Sequence, residues 1–156
     1  MYRLTNSFPY LLNRVGVRMG ELFSRRIAGH GVTLPMYRVM AALWESGDQR
    51  LGDLGAVTSI ELSTLSRLVG AMKRKGLVTR TRLKDNARTV AINLTARGKV
   101  LVEELIPLAM HFEEVAVREF SARETSELKA ALQTIYVSLN SIEPEIAEAD
   151  ERRRSR

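Results

Sequence analysis

Apolar side chains recur three and four residues apart at Phe8, Leu11, Leu12, Val15, Met19, Leu22, Phe23 and Ile27. That spacing is one face of a helix and predicts one over residues 8–28, ended by Gly29-His30-Gly31. Thr33 is placed to cap a second helix with Pro35 in its first turn; its apolar positions are Met36, Val39, Met40, Leu43 and Trp44. It stops near Ser46-Gly47-Asp48. A short third helix is predicted over residues 51–57, then a turn at Thr58-Ser59. A fourth follows over about 61–75, with Leu65, Leu68, Val69 and Met72 on its inner face. Gly76 stands just beyond its end, where a left-handed residue is wanted.

The period then changes from helical to alternating. Val78, Arg80 and Arg82 alternate with Leu77, Thr79 and Thr81; Val90, Ile92 and Leu94 alternate with Thr89, Ala91 and Asn93. Between these runs lies the polar turn Lys84-Asp85-Asn86-Ala87, so the segment reads as a two-stranded hairpin. Thr95 caps a long fifth helix containing Pro107. Ser121 and Glu124 form a capping box for a sixth, which runs through Leu128, Leu132, Ile135, Leu139 and Ile142 to a stop around Pro144. The predicted fold is mainly α, six helices with a small β-hairpin wing. Two helices joined by a tight turn and followed by a hairpin make a winged helix-turn-helix.

Charge separates the chain into regions. The net charge is +6, yet from Arg67 to Lys99 the only acid among ten bases is Asp85, whereas from Val100 to Glu151 twelve acids accompany three bases. A basic middle suits a polyanion such as double-stranded DNA; scattered charge alone would mean only a solvated surface. The end of the chain, Arg152-Arg153-Arg154-Ser155-Arg156, reads as a basic tail. With no cysteine there is no disulfide and no thiolate metal site, and with only two histidines, His30 and His111, a multi-histidine site would need several carboxylates to complete it. No apolar run reaches the ~20 residues of a membrane span, and the N-terminus lacks a signal-peptide core, so the expectation is a cytoplasmic protein. Neither paired carboxylates nor a phosphate loop is evident. The chain is expected not to be an enzyme and to need no cofactor or metal.

Placed on a helical wheel, Ser63, Arg67, Gly70 and Arg74 fall opposite the apolar face of the fourth helix, flanked by Thr64, Ser66 and Ala71. That stripe is small, hydroxylated and basic, with no carboxylate on it. Arginine makes bidentate contacts to guanine, and Ser or Thr reaches bases or phosphates. Gly70 either permits close approach to DNA or carries no role. Arg80, Arg82, Lys84 and Arg88 put positive charge on the hairpin, where an arginine can enter a narrow minor groove. A hairpin charged only for solubility would look the same in isolation.

The stretch Ser63-Thr64-Leu65-Ser66-Arg67-Leu68-Val69, then Lys73-Arg74-Lys75-Gly76-Leu77-Val78, resembles the recognition helix and exit of MarR-family regulators. Asp85-Asn86-Ala87-Arg88 and Leu94-Thr95-Ala96-Arg97-Gly98 resemble that family's wing and the start of its fifth helix. The resemblance implies a homodimer whose terminal helices pair and whose recognition helices enter successive major grooves. Arg88 matches the family's wing-tip arginine. Asn86 replaces the acid usual two residues earlier, Ala87 a common base, and Gly70 a frequent acid. Residues 1–34 and 99–145 are then dimerisation helices, 35–98 the DNA-binding lobe and 146–156 a charged tail.

Regulators resembling this one often bind small aromatic or phenolic anions between the dimer helices and the DNA-binding lobe. Arg14, Arg18, Tyr37, Arg38, Trp44 and His111 are the residues here that suit such an effector, although each taken alone reads as core or solvated surface. The expected function is a sequence-specific transcriptional regulator, a repressor released by a small aromatic or phenolic ligand. The alternative is an architectural protein that binds DNA without sequence preference. A protein-interaction module on the same fold fits the outward stripe less well.

Overall fold

The structure, a computed structural model, describes residues 2–83 and 86–154, without the side chains of residues 83, 86–89, 149 and 150. Among the described residues the elements are α1 (Phe8–Ile27), α2 (Leu34–Ser46), β1 (Gln49–Arg50), α3 (Leu51–Thr58), α4 (Leu62–Arg74), β2 (Val78–Leu83), β3 (Asn86–Leu94), α5 (Ala96–Val117), α6 (Ala122–Asn140) and α7 (Glu143–Arg154). They divide into two compact units, Met1–Glu113 and Glu114–Arg156. No described helix is long and apolar enough to cross a membrane.

The core of the first unit is the apolar face that each helix shows in sequence. Ile27 of α1, Val39 and Met40 of α2, Leu54 of α3, Leu65, Val69 and Met72 of α4, and Val102 and Leu105 of α5 are all completely buried. Burying a side chain of this size contributes ~1.5–3 kcal/mol, which is what gathers short helices that would be marginal alone. Helix ends follow local chemistry. The Met36 amide donates to the Thr33 hydroxyl at the start of α2, with Pro35 in the first turn. Ser59, at the turn between α3 and α4, is left-handed with φ 53°, and the buried Thr58 hydroxyl donates to the Leu54 carbonyl at 2.5 Å. Gly76, at φ 69°, turns the chain out of α4, and the Leu77 amide donates to the Met72 carbonyl at 3.0 Å.

The sheet has three strands in the order β1-β3-β2, all antiparallel. The hairpin pairs Val78 with Leu94, Arg80 with Ile92 and Arg82 with Val90. The third strand is an addition to the predicted pair: Gln49 and Arg50 lie against Ile92 and Ala91. Two residues are too few to show a period of two in sequence. At the exit of β3 the Thr95 hydroxyl donates to the Gly76 carbonyl at 2.6 Å and accepts the Gly98 amide at 2.9 Å, so one side chain caps α5 and fastens it to the end of α4.

In the second unit, Ser121 and Glu124 form the expected capping box, with the Ser121 amide donating to the Glu124 carboxylate at 2.8 Å. Leu128, Leu132, Tyr136 and Leu139 are exposed along α6. Helix α6 ends at Asn140, just before the expected stop around Pro144, and the chain then re-enters helix. Glu143 and Pro144 open α7, which carries helix through Arg154 where a tail is expected from residue 146. Proline in a first turn loses no helical hydrogen bond, so the same residue fits a start better than an end.

Candidate nucleic-acid interface

The amphipathic character of α4 is complete in three dimensions. Leu65, Val69 and Met72 are fully buried, while Ser63, Thr64, Arg67 and Arg74 are exposed and Ser66 and Gly70 are half-buried. A Cβ on Gly70 would meet nothing nearer than the Arg74 guanidinium at 3.8 Å, so the position is open. Lys73 and Arg74 lie in the last turn, where cations complement the helix dipole.

The leading end of α4 is held by a residue the wheel does not display. The Glu61 carboxylate accepts the amides of Ser63 at 2.9 Å and Thr64 at 3.0 Å, and the Ser63 hydroxyl donates to it as well. These donors, the Ser63 hydroxyl first, lower the Glu61 pKa from 4.5 to about 2. The sequence signal was an acid two residues before Ser63-Thr64 at a helix start, where N-caps sit. Counting Glu61 as the first helical residue hid it.

The hairpin is tied to this helix. The Arg80 guanidinium donates to the Ser66 carbonyl at 3.4 Å, leaving Arg82 exposed beyond it. The Thr81 hydroxyl donates to Asn93, whose amide donates to the Asp48 carboxylate at 2.9 Å. Lys84 and the side chain of Arg88 lie outside the described residues.

Of the six residues considered for an effector, Tyr37 and Arg38 share a cavity of about 290 Å³ with Met19, Phe23 and Phe112. The Phe23 ring meets Tyr37 edge-on at 4.8 Å and Phe112 at 5.5 Å. Burial pushes the Tyr37 hydroxyl above its ordinary pKa, so it stays a donor. The other four lie elsewhere. Arg14 stands over the Tyr10 ring at 5.7 Å and Arg18 is 3.8 Å from Glu21. His111 is exposed beside Phe112. Trp44, half-exposed, borders a separate cavity of about 420 Å³ with Asp48, Lys99 and Glu103.

A tight two-helix turn, an outward helix face of small and cationic residues, and a basic hairpin joined to it define a winged helix-turn-helix protein of the DNA-binding class. Comparison with known proteins narrows this. The MarR family profile matches residues 32–90. The SarZ transcriptional regulator of Staphylococcus saprophyticus is 32% identical over 103 residues, covering 65% of this chain and 68% of that protein. The organic hydroperoxide resistance transcriptional regulator of Bacillus subtilis is 25% identical over 138 residues, covering 88% and 92%. The fold matches that of Bordetella bronchiseptica BpsR, whose DNA binding is regulated by 6-hydroxynicotinic acid; the TM-score is 0.79 at 24% identity, over 87% of this chain and 97% of that one. The chain belongs to the MarR family of transcriptional regulators.

Proposed function

We propose that the protein is a sequence-specific repressor that binds a pseudo-palindromic operator as a homodimer and leaves it when a small aromatic acid or phenol binds. The observation that carries DNA reading is the division of α4, with Leu65, Val69 and Met72 sealed in the core and Arg67 and Arg74 free on the opposite face. Free arginines on a rigid helix fit the major groove, and Arg80 and Arg82 on the hairpin suit flanking DNA.

Pairing is supported by apolar side chains left exposed in the single chain: Phe8, Leu11, Leu12 and Val15 on α1, and Leu128, Leu132 and Leu139 on α6. A second copy is the natural cover for so much apolar surface. In this division of labour residues 1–34 and 99–145 pair, and residues 35–98 meet DNA with half-sites about 10 bp apart.

Release by ligand is supported by the cavity at Tyr37 and Arg38. Its phenylalanines suit an aromatic ring, and the guanidinium and phenol suit a carboxylate or a second hydroxyl. The control BpsR shows toward 6-hydroxynicotinic acid is consistent with a ligand of this class.

The test is to sequence the fragments that the purified full chain retains from random duplex DNA, with and without a panel of aromatic acids. A shared motif lost in the presence of an acid is the expected result. Retention with no motif would instead favour the architectural protein.

A further inference from the structure

We propose that Glu61 is a base-reading residue of α4, accepting a hydrogen bond from the exocyclic amine of a cytosine in the major groove. This rests on the assignment of α4 as the helix that enters DNA. A bare helix N-terminus is a ready seat for a backbone phosphate, because its first amides have no partners within the helix. Here the amides of Ser63 and Thr64 are already committed to Glu61, and so is the Ser63 hydroxyl. A phosphate arriving at this end would find no free donor among them and a negative charge in front of it.

What remains is acceptor capacity. A carboxylate offers about four acceptor positions. Oε2 accepts the Ser63 hydroxyl and the Thr64 amide, and Oε1 accepts only the Ser63 amide, so one position on Oε1 is open. The hydrogen bond to the Ser63 hydroxyl sets the carboxylate beside Ser63, an exposed residue of the same stripe that carries Arg67. The low pKa keeps it an anion, and therefore purely an acceptor, throughout the neutral range.

In the major groove the donors on base edges are the amines of cytosine and adenine. Adenine sets its N7 acceptor beside that amine, which repels a carboxylate, whereas cytosine offers the amine alone. The leading turn therefore favours cytosine on one strand, while Arg67, one turn further along, suits a guanine. Ser63 acts through Glu61 as a positioning residue, since its hydroxyl is spent on holding the carboxylate.

Selection from random duplex DNA with wild type, Glu61→Gln, Ser63→Ala and Arg67→Ala tests this. Circular dichroism melts of each variant confirm that the helix persists. Glu61→Gln is expected to lose a cytosine preference at one operator position by about tenfold or more, and to bind non-specific duplex a few-fold more tightly because a charge near phosphate is gone. Ser63→Ala removes one of three donors and leaves the carboxylate on two amides, so it is expected to weaken the same preference part-way; an unchanged preference would remove Ser63 from the positioning role. If Glu61→Gln changes affinity uniformly and leaves every base preference as it was, Glu61 is a helix cap only and the proposal is overturned. A preference lost at an adenine overturns the cytosine assignment. When Arg67→Ala alters preferences and Glu61→Gln does not, Glu61 alone is at fault; when neither does, α4 itself is not the reading helix.

Discussion

A Cβ placed on Gly98 would stand 2.1 Å from the carbonyl oxygen of Leu77. That oxygen cannot easily give way, because it accepts the Thr95 amide at 3.0 Å and lies 3.2 Å from the Thr95 hydroxyl. The start of α5 and the residue just before β2 are therefore in backbone contact, with no room for a side chain. Gly98→Ala is expected to cost about 1–3 kcal/mol or more through forced displacement, lowering the melting temperature by roughly 2–4 °C for each kcal/mol. A variant melting with wild type would show that the joint is slack.

Arg67→Ala should relax operator discrimination by about 1–3 kcal/mol at the position it reads, and Arg74→Ala should either do the same or weaken binding evenly. Quantitative gel shifts against operator variants measure both. Full selectivity in the double variant would remove α4 from the reading role.

Glu61 gives the fold a defined acid response. Its carboxyl titrates at about 2 when folded, against an ordinary 4.5, because the Ser63 hydroxyl and then the amides of Ser63 and Thr64 bind its ionised form. A lowered pKa stabilises the folded state where the group is ionised in both states. The contribution is thus complete above pH 4.5 and fades as pH falls from 4.5 to 2. Urea melts at stepped pH should show the stability difference between wild type and Glu61→Gln constant from pH 7 to about 5 and shrinking below that. A gap that stays level down to pH 2 contradicts the hydrogen-bonding assignment.

An aromatic acid that occupies the cavity at Tyr37 and Arg38 should raise the melting temperature of wild type and do so much less for Arg38→Ala. Operator DNA should weaken binding of that acid by the factor by which the acid weakens DNA binding. Calorimetric titration with and without operator checks the reciprocity; unequal factors would place the two events on different equilibria.

Replacing Leu132 by Asp sets a charge on the exposed apolar row of α6, and Leu12→Asp does so on α1. If these rows pair two copies, light scattering at micromolar concentration should find wild type at twice the chain mass and the variants shifted toward a single chain. Variants that scatter like wild type would move the pairing surface elsewhere.

The helices with a buried face were legible because burial imposes a period: Leu65, Val69 and Met72 repeat at helical spacing and are sealed in the core. The caps at Thr33, Thr95 and Ser121 were legible because capping is local chemistry. Strand β1 was not, since Gln49 and Arg50 owe their conformation to a partner strand some forty residues away. Glu61 escaped because a wheel ranks side chains by angle, whereas a cap acts along the axis. Helix α7 was missed because proline marks either boundary of a helix, and Pro144, just past the end of α6, also opens the next one. Of the six residues with chemistry suited to an aromatic acid, Tyr37 and Arg38 share one cavity, but distance along the chain could not separate them from Arg14, Arg18, Trp44 and His111.

The short pairing of Gln49 and Arg50 with β3 sits immediately before α3, with only a turn between α3 and α4. Together with the run of hydrogen bonds from Thr81 through Asn93 to Asp48, it welds the hairpin to the entrance of the helix pair. Arg80 adds a second weld, from β2 to the backbone of α4. A hairpin hinged only at its base could swing to follow flanking DNA while the helix stayed in its groove. Cross-braced at two points, its base is held to both helices of the pair. On the proposed reading of α4, those braces set the spacing between its groove and the flanking contact, and an operator matching that gauge would be gripped by both.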